Sequence, residues 1–439
     1  MVIIPVKIEA KSPINVGARR PYGYITETTS YIPAGVIRGS FATFLHRGNP
    51  SLFASLFQPA DVLRFSDFYP VHPFIAYGGL ESRLPSALPV TAVTCKHYPG
   101  FRTQQEYLKR SHPQEVSSHP VHGVFDTLLV ELAYDLLRFP QKPLRHLCPC
   151  CREVPAEEFE GHLQALYPLS RPPAQFDFAS HRPIDRGIFF RQSVDLYHLG
   201  RTAINRARQT VQEGMLYALA VIPEGTTFMG WVGFPAGTNN SLHEQVLDTL
   251  KELSAVGADA TAGLGQVSIT TFPQGQKQTT SVERVEECTR DFNQALHLAR
   301  TWCLSMYGGK ETGPDADGVY FTVDLQSPAV FFGKLGEPTV HLTADLLSHY
   351  CKGTYTFQPV ATFVRHQFVG GWSLAWQLPK EMRLAVQAGS VFVFKVKELT
   401  SDLLSAFTRL EEEGMGEYRE EGFGQVRICH PFHLEVLPV

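Results

Sequence analysis

The sequence contains no apolar run long enough to cross a bilayer, and its net charge is small. A transmembrane helix needs about 20 apolar residues, and no stretch of the 439-residue chain approaches that length. Its first residues, Met1 to Pro5, lack the pattern of a signal peptide. We therefore expect a cytoplasmic protein with no membrane partner. The formal net charge of −4 disfavours a nucleic-acid binder with a basic surface throughout.

The charged residues are unevenly distributed along the chain. Residues 1–50 carry six Lys or Arg against two acids, and residues 182–208 carry six arginines against two aspartates. Residues 398–421 show the opposite balance, with eight acids and two arginines. This asymmetry favours one face for an anionic ligand and an acidic end that faces solvent or a partner. Scattered surface charge without function is the alternative.

A repeated pattern organises the chain. Residues 214–272 read as strand, turn, strand, helix, glycine-rich loop and strand, with the first strand over Leu216 to Ile222. The same order returns from Met382 to Ile428. Both copies end in a Gly-apolar-Gly-Gln-Val sequence, at Gly263 to Val267 and at Gly422 to Val426. Repetition in a fixed order indicates a duplicated architecture.

Each copy is preceded by a strand that ends in Ser-Pro, at Ser12-Pro13 and at Ser327-Pro328. With a helix after that strand, each half has the order βαββαβ. The sequence thus predicts an α+β protein with two ferredoxin-like (RRM-type) domains in tandem. The predicted first domain is 1–272, with a loop-rich insertion at about 61–175. A linker and long helix at 273–317 and a second domain at 318–439 follow.

Several short motifs together resemble the RAMP superfamily of CRISPR effector proteins. They are Tyr31-Ile32-Pro33-Ala34-Gly35-Val36-Ile37-Arg38-Gly39, Arg201 to Arg206 followed by Glu213-Gly214-Met215-Leu216-Tyr217, Val369-Gly370-Gly371-Trp372, and Ala388-Gly389-Ser390-Val391-Phe392. The set is similar to the Csx-ten-type, Cas-five-like subunit of type III-D complexes. The resemblance implies a non-catalytic RNA-binding subunit that holds the repeat-derived 5′ handle of crRNA. The implied partners are a large polymerase-like subunit, backbone RAMP subunits and, indirectly, target RNA.

Arginines, a tyrosine and loop glycines form the predicted RNA contacts. Arginine holds phosphate bidentately, tyrosine stacks on unpaired bases, and glycine lets backbone N–H groups approach a phosphate. The first turn of a helix beginning at Pro33 offers further N–H groups. Ordinary turns and core packing are the alternatives. The predicted residues are Arg19, Arg20, Tyr31, Arg38, Arg201, Arg206, Gly263, Gly265, Gly422 and Gly424.

Two enzymatic alternatives remain open at this level. His46, near the end of the first predicted helix, would serve a crRNA-processing endoribonuclease, because acid–base cleavage of RNA needs a histidine beside the 2′-OH. A backbone RAMP that cuts target RNA with a metal would use Asp67 or Asp126. The loop after the first strand, from Gly17 to Ser30, contains Glu27 but no aspartate.

Eight cysteines in such a chain favour reduced thiols or metal ligands over disulfides. Cys148 and Cys151 have the C-x-x-C spacing of a tetrahedral zinc site. We expect Cys95 as a third ligand and His97 or Cys150 as the leading fourth, with His122 and His146 as further candidates. A structural zinc ion would clip the insertion to the first domain. Free thiols and a redox pair are the alternatives.

Overall fold

A computed structural model describes residues 1–17, 25–26, 28–57, 63–72, 84–111, 119–139, 147–148, 150–151, 156–165, 189–205, 208, 210–235, 237–272, 281–307, 318–373 and 378–434. The α-helices are α1 (Ala34–Gly48), α2 (Pro50–Phe57), α3 (Arg102–Ser111), α4 (Leu128–Leu136), α5 (Asn240–Lys251), α6 (Val282–Tyr307), α7 (Ala344–Tyr350) and α8 (Ser401–Glu413). Within these residues, no helix combines the length and apolar character that crossing a membrane requires.

The strands are mostly antiparallel and form several sheets. In the first half and the insertion they are β1 (Val2–Ala10), β2 (Ile25–Thr26), β3 (Arg64–Phe65), β4 (Tyr69–Pro70), β5 (Ser86–Ala87), β6 (Ala92–Cys95), β7 (Val124–Asp126), β8 (Ala156–Glu158), β9 (His162–Ala165), β10 (Phe189–Phe190), β11 (Tyr197–Asn205), β12 (Thr210–Val221), β13 (Thr227–Phe234) and β14 (Val267–Thr271). In the second half they are β15 (Val319–Leu325), β16 (Phe331–Phe332), β17 (Pro338–Thr339), β18 (Gln358–Phe363), β19 (His366–Ser373), β20 (Leu378–Val386), β21 (Val391–Val396) and β22 (Val426–Ile428).

The central sheet of the first half has the order β14-β1-β13-β3, and β4 also pairs with β13. Helix α1 follows β1 and α5 follows β13. Ile8 in the middle strand lies opposite Phe228 and Ile269, and all three side chains are buried. Alternating apolar residues place one face of this sheet against the two helices.

The central sheet of the second half has the order β18-β21-β15-β22. Helix α7 follows β15 and α8 follows β21. Val323 lies opposite Phe392 and Ile428, in the same arrangement as Ile8 in the first half. If the sheet strands of each half are numbered in chain order, both sheets read four-one-three-two, the order of a βαββαβ unit.

The first strand of each sequence repeat lies outside these central sheets, which corrects the predicted ββαβ arrangement. β12, which contains the predicted strand Leu216 to Ile222 almost entirely, pairs with β11, and β20 pairs with β19. The corresponding position in each sheet is filled by β3 and by β18. The hydrogen-bonding edges of β12 are already occupied, because β2 pairs along its other side. Each half therefore carries an additional hairpin just before the third sheet strand.

The insertion has a small core of its own and is less loop-like than its composition predicts. Leu88, Phe101 and Phe159 are distant in sequence but pack together, with Phe101 and Phe159 edge to face at 5.7 Å. Its helix α4 buries Leu128 and Leu132 in the same core as Phe292 of α6 and Phe321 of β15. Helix α4 packs against the long helix α6, and α6 packs on β15, so both helices share the core of the second half.

A buried histidine joins the insertion to the second half. His433 Nδ1 lies 2.7 Å from Asp126 Oδ2, and its Nε2 lies 2.7 Å from Asp324 Oδ1. Burial alone would lower the pKa of His433, but the two carboxylates outweigh it and raise that pKa to about 10. Burial also opposes ionisation of Asp324, yet His433 holds its pKa below the usual value. The imidazolium is therefore clamped between two carboxylates from distant segments.

Candidate nucleic-acid interface and metal site

The two glycine-rich loops have the same backbone conformation. Asp259 and Tyr418 adopt left-handed φ values of 60° and 59°, and a short 3₁₀ turn follows each of them. Gly263 and Gly422 then return to positive φ, at 84° and 91°. Such angles strain any residue with a Cβ. The duplication seen in the sequence therefore extends to backbone geometry.

The amides of the second glycine in each loop are satisfied inside the chain. Gly265 N donates to Pro13 O at 2.8 Å, and Gly424 N donates to Pro328 O at 2.7 Å. A Cβ at Gly265 would overlap the Val256 carbonyl oxygen. The Ser-Pro motifs thus receive the glycine loops. The N–H groups of Gly265 and Gly424 are thus used within the chain, and contact of these two glycines with RNA stays a prediction.

The first glycines of the two loops have different surroundings. A Cβ on Gly422 would overlap Ala34 at the start of α1 and lie 3.0 Å from Phe65 O, both in the first half. The neighbouring Glu421 forms an ion pair with Lys380 at 2.6 Å. The second loop is thus packed between the halves at Gly422. At Gly263, in contrast, no atom of the described residues lies within 4 Å of such a Cβ.

The start of α1, predicted to bind phosphate, is capped by a carboxylate. Asp67 Oδ1 accepts from Ala34 N at 2.8 Å, and Asp67 Oδ2 accepts from the Tyr69 hydroxyl at 3.0 Å. Burial raises the pKa of Asp67 to about 6, although these two hydrogen bonds oppose that shift. A negative group already meets the positive end of the helix dipole, so a phosphate would be repelled here.

Tyr31 and Arg38, predicted to contact RNA, pack against other side chains. The Tyr31 ring lies 5.2 Å from the Tyr69 ring, and burial raises the pKa of its hydroxyl far above the usual value. The Arg38 guanidinium lies 5.0 Å from the centre of the Phe57 ring. Its Nε is buried and has no hydrogen-bond partner among the described residues. Among the described residues, these contacts of Tyr31 and Arg38 do not involve the loop around Gly263.

Arg201 lies beside the open glycine loop. Its Nη2 donates to Ala262 O at 3.3 Å, one residue before Gly263. Tyr217 on the paired strand β12 is the direct cross-strand neighbour of Arg201, and the Tyr217 side chain is exposed. Leu264 packs with Leu219 of the same hairpin and so fixes the loop against it. A guanidinium and an exposed aromatic ring therefore share one face of the hairpin next to Gly263.

Sequence reasoning did not select Tyr217 as a contact residue, although it belongs to one of the quoted motifs. The sequence analysis predicts a strand at Leu216 to Ile222 but none around Arg201, so it gave no sign that Arg201 and Tyr217 are paired. Arg19, Arg20 and Arg206, also predicted to contact RNA, lie outside the described residues.

The two enzymatic alternatives depend on His46, Asp67 and Asp126. His46 is exposed at the end of α1, and its ring lies edge-on to Phe53 at 5.1 Å. Asp67 and Asp126 are both buried and engaged in the structural contacts described above. A metal at either aspartate would have to displace a helix cap or the His433 imidazolium. These contacts give the two aspartates structural roles.

Four residues of the insertion form a cluster with the chemistry of a metal site. The ligand atoms of Cys95, His122, Cys148 and Cys151 all lie within 4.8 Å of one another. Two of the leading sequence candidates are outside it, since His97 and Cys150 are both exposed. The fourth position therefore falls to His122 rather than to His97 or Cys150. Because His122 immediately precedes Gly123 and strand β7, pairing of β7 with β6 brings it to Cys95.

Comparison with known proteins gives one partial family match. Residues 307–431 match a family model described as CRISPR-associated protein (Cas_Cmr3). No curated protein matches the sequence. The match spans the second half, and it supports a CRISPR-associated effector subunit without assigning it to type III-D.

Comparison with solved structures gives matches of low identity and low TM-score to chains of CRISPR proteins. A chain of the type III-B Cmr-beta complex bound to cognate target RNA and AMPPnP is 11% identical, with a TM-score of 0.38 and coverage of 96% of this chain and 98% of that chain. A chain of a type IV-B CRISPR complex is 17% identical, with a TM-score of 0.24 and coverage of 62% and 90%. A chain of a Cas6 product complex is 10% identical, with a TM-score of 0.35 and coverage of 98% and 100%.

Proposed function

We propose that this chain is a non-catalytic, RNA-binding subunit of a type III CRISPR effector complex. In this proposal it consists of two ferredoxin-like RAMP domains and holds the repeat-derived 5′ handle of crRNA. Its partners are the large polymerase-like subunit and the backbone RAMP subunits of a III-D-like complex. The match of residues 307–431 to the Cas_Cmr3 family model carries the proposal.

The proposed RNA surface is the face of the β11–β12 hairpin that bears Arg201 and Tyr217. Single-stranded RNA is held by cationic groups along its backbone and by aromatic rings under its bases. Arg201 supplies the first kind of group and exposed Tyr217 the second, at directly paired positions. The open space at Gly263 lets the sugar–phosphate chain approach the loop between them. The proposal places the RNA surface in the first half, since the corresponding Gly422 of the second half packs against Ala34.

Purification of the tagged chain from its own cells tests the function. Sequencing of the bound RNA is expected to recover molecules that begin with a repeat-derived 5′ end. Recovery of no RNA, or of RNA without that end, would contradict the proposal. Cleavage of precursor RNA that disappears in His46→Ala would assign the chain to the processing enzymes instead.

Fluorescence anisotropy with the recovered crRNA tests the surface. Arg201→Ala and Tyr217→Ala are each expected to weaken binding about tenfold, since a charge-assisted hydrogen bond or a stacked base contributes about 1–3 kcal/mol. Loss of one phosphate contact should also reduce the salt dependence by about 0.7 in its logarithmic slope. Tyr217→Phe retains the ring and should bind normally.

The matched control for Arg201→Ala is Arg290→Ala, which removes an exposed guanidinium from α6. Equal losses in the two arginine variants would show a general charge effect and would reject the hairpin surface. Unchanged binding in Arg201→Ala and Tyr217→Ala together would reject it as well.

A further inference from the structure

We propose that Cys95, His122, Cys148 and Cys151 bind one zinc ion as a closed structural site within the insertion. Three thiols and one imidazole are the ligand types that zinc prefers. All four positions of a tetrahedron are then filled by protein, so the ion has no open position for water or substrate. The site is therefore structural and independent of RNA binding.

The distances between the ligand atoms agree with tetrahedral zinc. Zn–S bonds of about 2.3 Å and Zn–N bonds of about 2.0–2.1 Å place two sulfurs about 3.8 Å apart and sulfur and nitrogen about 3.6 Å apart. Cys95 Sγ and Cys151 Sγ are separated by 3.9 Å. His122 Nδ1 lies 3.4 Å from Cys148 Sγ and 3.2 Å from Cys151 Sγ. The cavity between these atoms fits one ion of that size.

The backbone around the cluster holds the ligands in place. His122 N donates to Tyr98 O at 3.0 Å, which ties the histidine segment to the Cys95 turn. Gly123, at a φ of 102°, makes the turn that aims His122 at the cluster. These contacts supply the outer support that metal-binding side chains need.

The excluded neighbours strengthen the choice of ligands. Cys150 lies between the two cysteines of the C-x-x-C motif, yet its side chain is exposed and its sulfur is 3.9 Å from the His122 carbonyl oxygen. His97 is two residues after Cys95 but is exposed as well. Cys150 and His97 thus lie close in sequence to proposed ligands but outside the cluster. Cys150 is the matched control for the cysteine ligands, and His97 is the matched control for His122.

The site joins three segments that the sequence separates. Cys95 ends β6, His122 precedes β7, and the C-x-x-C segment comes after α4. Asp126 at the end of β7 then contacts His433 of the C-terminal segment. Zinc is expected to stabilise the insertion and, through β7, its attachment to the second half. Its removal should therefore lower the melting temperature of the full chain.

Metal analysis of the full chain, purified under reducing conditions and supplied with zinc, tests the site. About one zinc per chain is expected in the wild type. Cys148→Ser and His122→Ala should lose most of it, whereas Cys150→Ser and His97→Ala should retain it. Zinc loss in the two control variants with retention in the first two would overturn the ligand assignment. Absence of zinc from the reconstituted wild type would overturn the site.

A second measurement needs no variant and so avoids misfolding as an explanation. Cobalt(II) substituted into the wild-type chain should give intense thiolate-to-metal absorption in the near ultraviolet and visible bands of tetrahedral cobalt. Zinc should be released as mercurial reagents titrate the cluster thiols. Weak bands of octahedral cobalt would contradict the proposal. A disulfide between Cys148 and Cys151 that prevents metal binding, found in protein isolated without reductant, would also contradict it and would favour a redox pair.

Discussion

Replacement of His433 by glutamine tests the buried link between the insertion and the second half. In the wild type, each ring nitrogen of His433 lies 2.7 Å from a carboxylate oxygen, one of Asp126 and one of Asp324. The substitution removes the imidazolium between these two carboxylates. All three side chains are buried. Removal of one partner from a buried ion pair costs about 3–5 kcal/mol, because the other charge stays in a low-dielectric site.

The pKa of His433 gives a comparable magnitude and a sign for the pH dependence. A rise from 6.5 to about 10 corresponds to about 5 kcal/mol. Because the folded-state pKa lies above the unfolded value, this stabilisation is complete below pH 6.5 and is lost as the pH rises through 10. The lowered pKa of Asp324 adds stability above its usual value of 3.8 that is lost as the pH falls further.

Urea unfolding at several pH values measures this contribution. We expect the midpoint of the wild type to fall between pH 7 and pH 10, and the midpoint of His433→Gln to be much lower at pH 6.5 and less dependent on pH. The matched control is His341→Gln, which changes an exposed histidine of the same half. A loss below about 1 kcal/mol, or an unaltered pH dependence, would refute the ion-pair argument.

Two further predictions concern the glycine loops, and thermal unfolding measures both. Gly424→Ala should destabilise the protein by at least about 1–3 kcal/mol, because φ at Gly424 is positive and the Met415 backbone lies close to it. The control Gly39→Ala, in open space on helix α1, should instead stabilise the protein by about 0.5–1 kcal/mol. A stable Gly424→Ala protein would contradict the first point. Gly422→Val should cost about 1–3 kcal/mol more than Gly263→Val, because only Gly422 packs against Ala34; equal costs would show that the contact between the halves is unimportant.

The similarity between the two Ser-Pro motifs and between the two glycine loops was readable from sequence because each motif is short and continuous. Ser12-Pro13 and Ser327-Pro328 stand at the ends of equivalent strands, and each receives a glycine loop through the same pair of hydrogen bonds. Gln266 N and Gln425 N both donate to the serine Oγ at 2.9 Å. In both halves the Ser-Pro motif and the glycine loop are far apart in sequence, and the fold brings them together in the same geometry.

The composition of the central sheets could not be predicted in the same way. Strand β3 has only two residues, Arg64 and Phe65, and gives no periodic signal. It joins the sheet by pairing with Val232 and Gly233, far along the chain. The prediction therefore assigned this sheet position to β12, whose apolar pattern is clearer than that of β3. In the structure β12 pairs with β11 and lies outside the central sheet. Long-range pairing decided this position.

The metal cluster was half predictable for a related reason. Cys148 and Cys151 form a local motif, and Cys95 is the third ligand that the sequence analysis names. The choice of His122 over His97 depends on the pairing of β6 with β7 and on the turn at Gly123. Sequence spacing carries no information about either. The predicted ligand set and the observed cluster share Cys95, Cys148 and Cys151, and the cluster adds His122, which the sequence analysis names only as a further candidate; zinc binding itself stays a prediction.

Photo-crosslinking of the assembled complex to its RNA tests the central claim most directly. Mass spectrometry of the peptide–RNA adducts should place crosslinks on the β11–β12 hairpin, at or beside Tyr217, and not on the loop around Gly422. Crosslinks confined to the second half, or none to the hairpin in a complex that contains crRNA, would contradict the account.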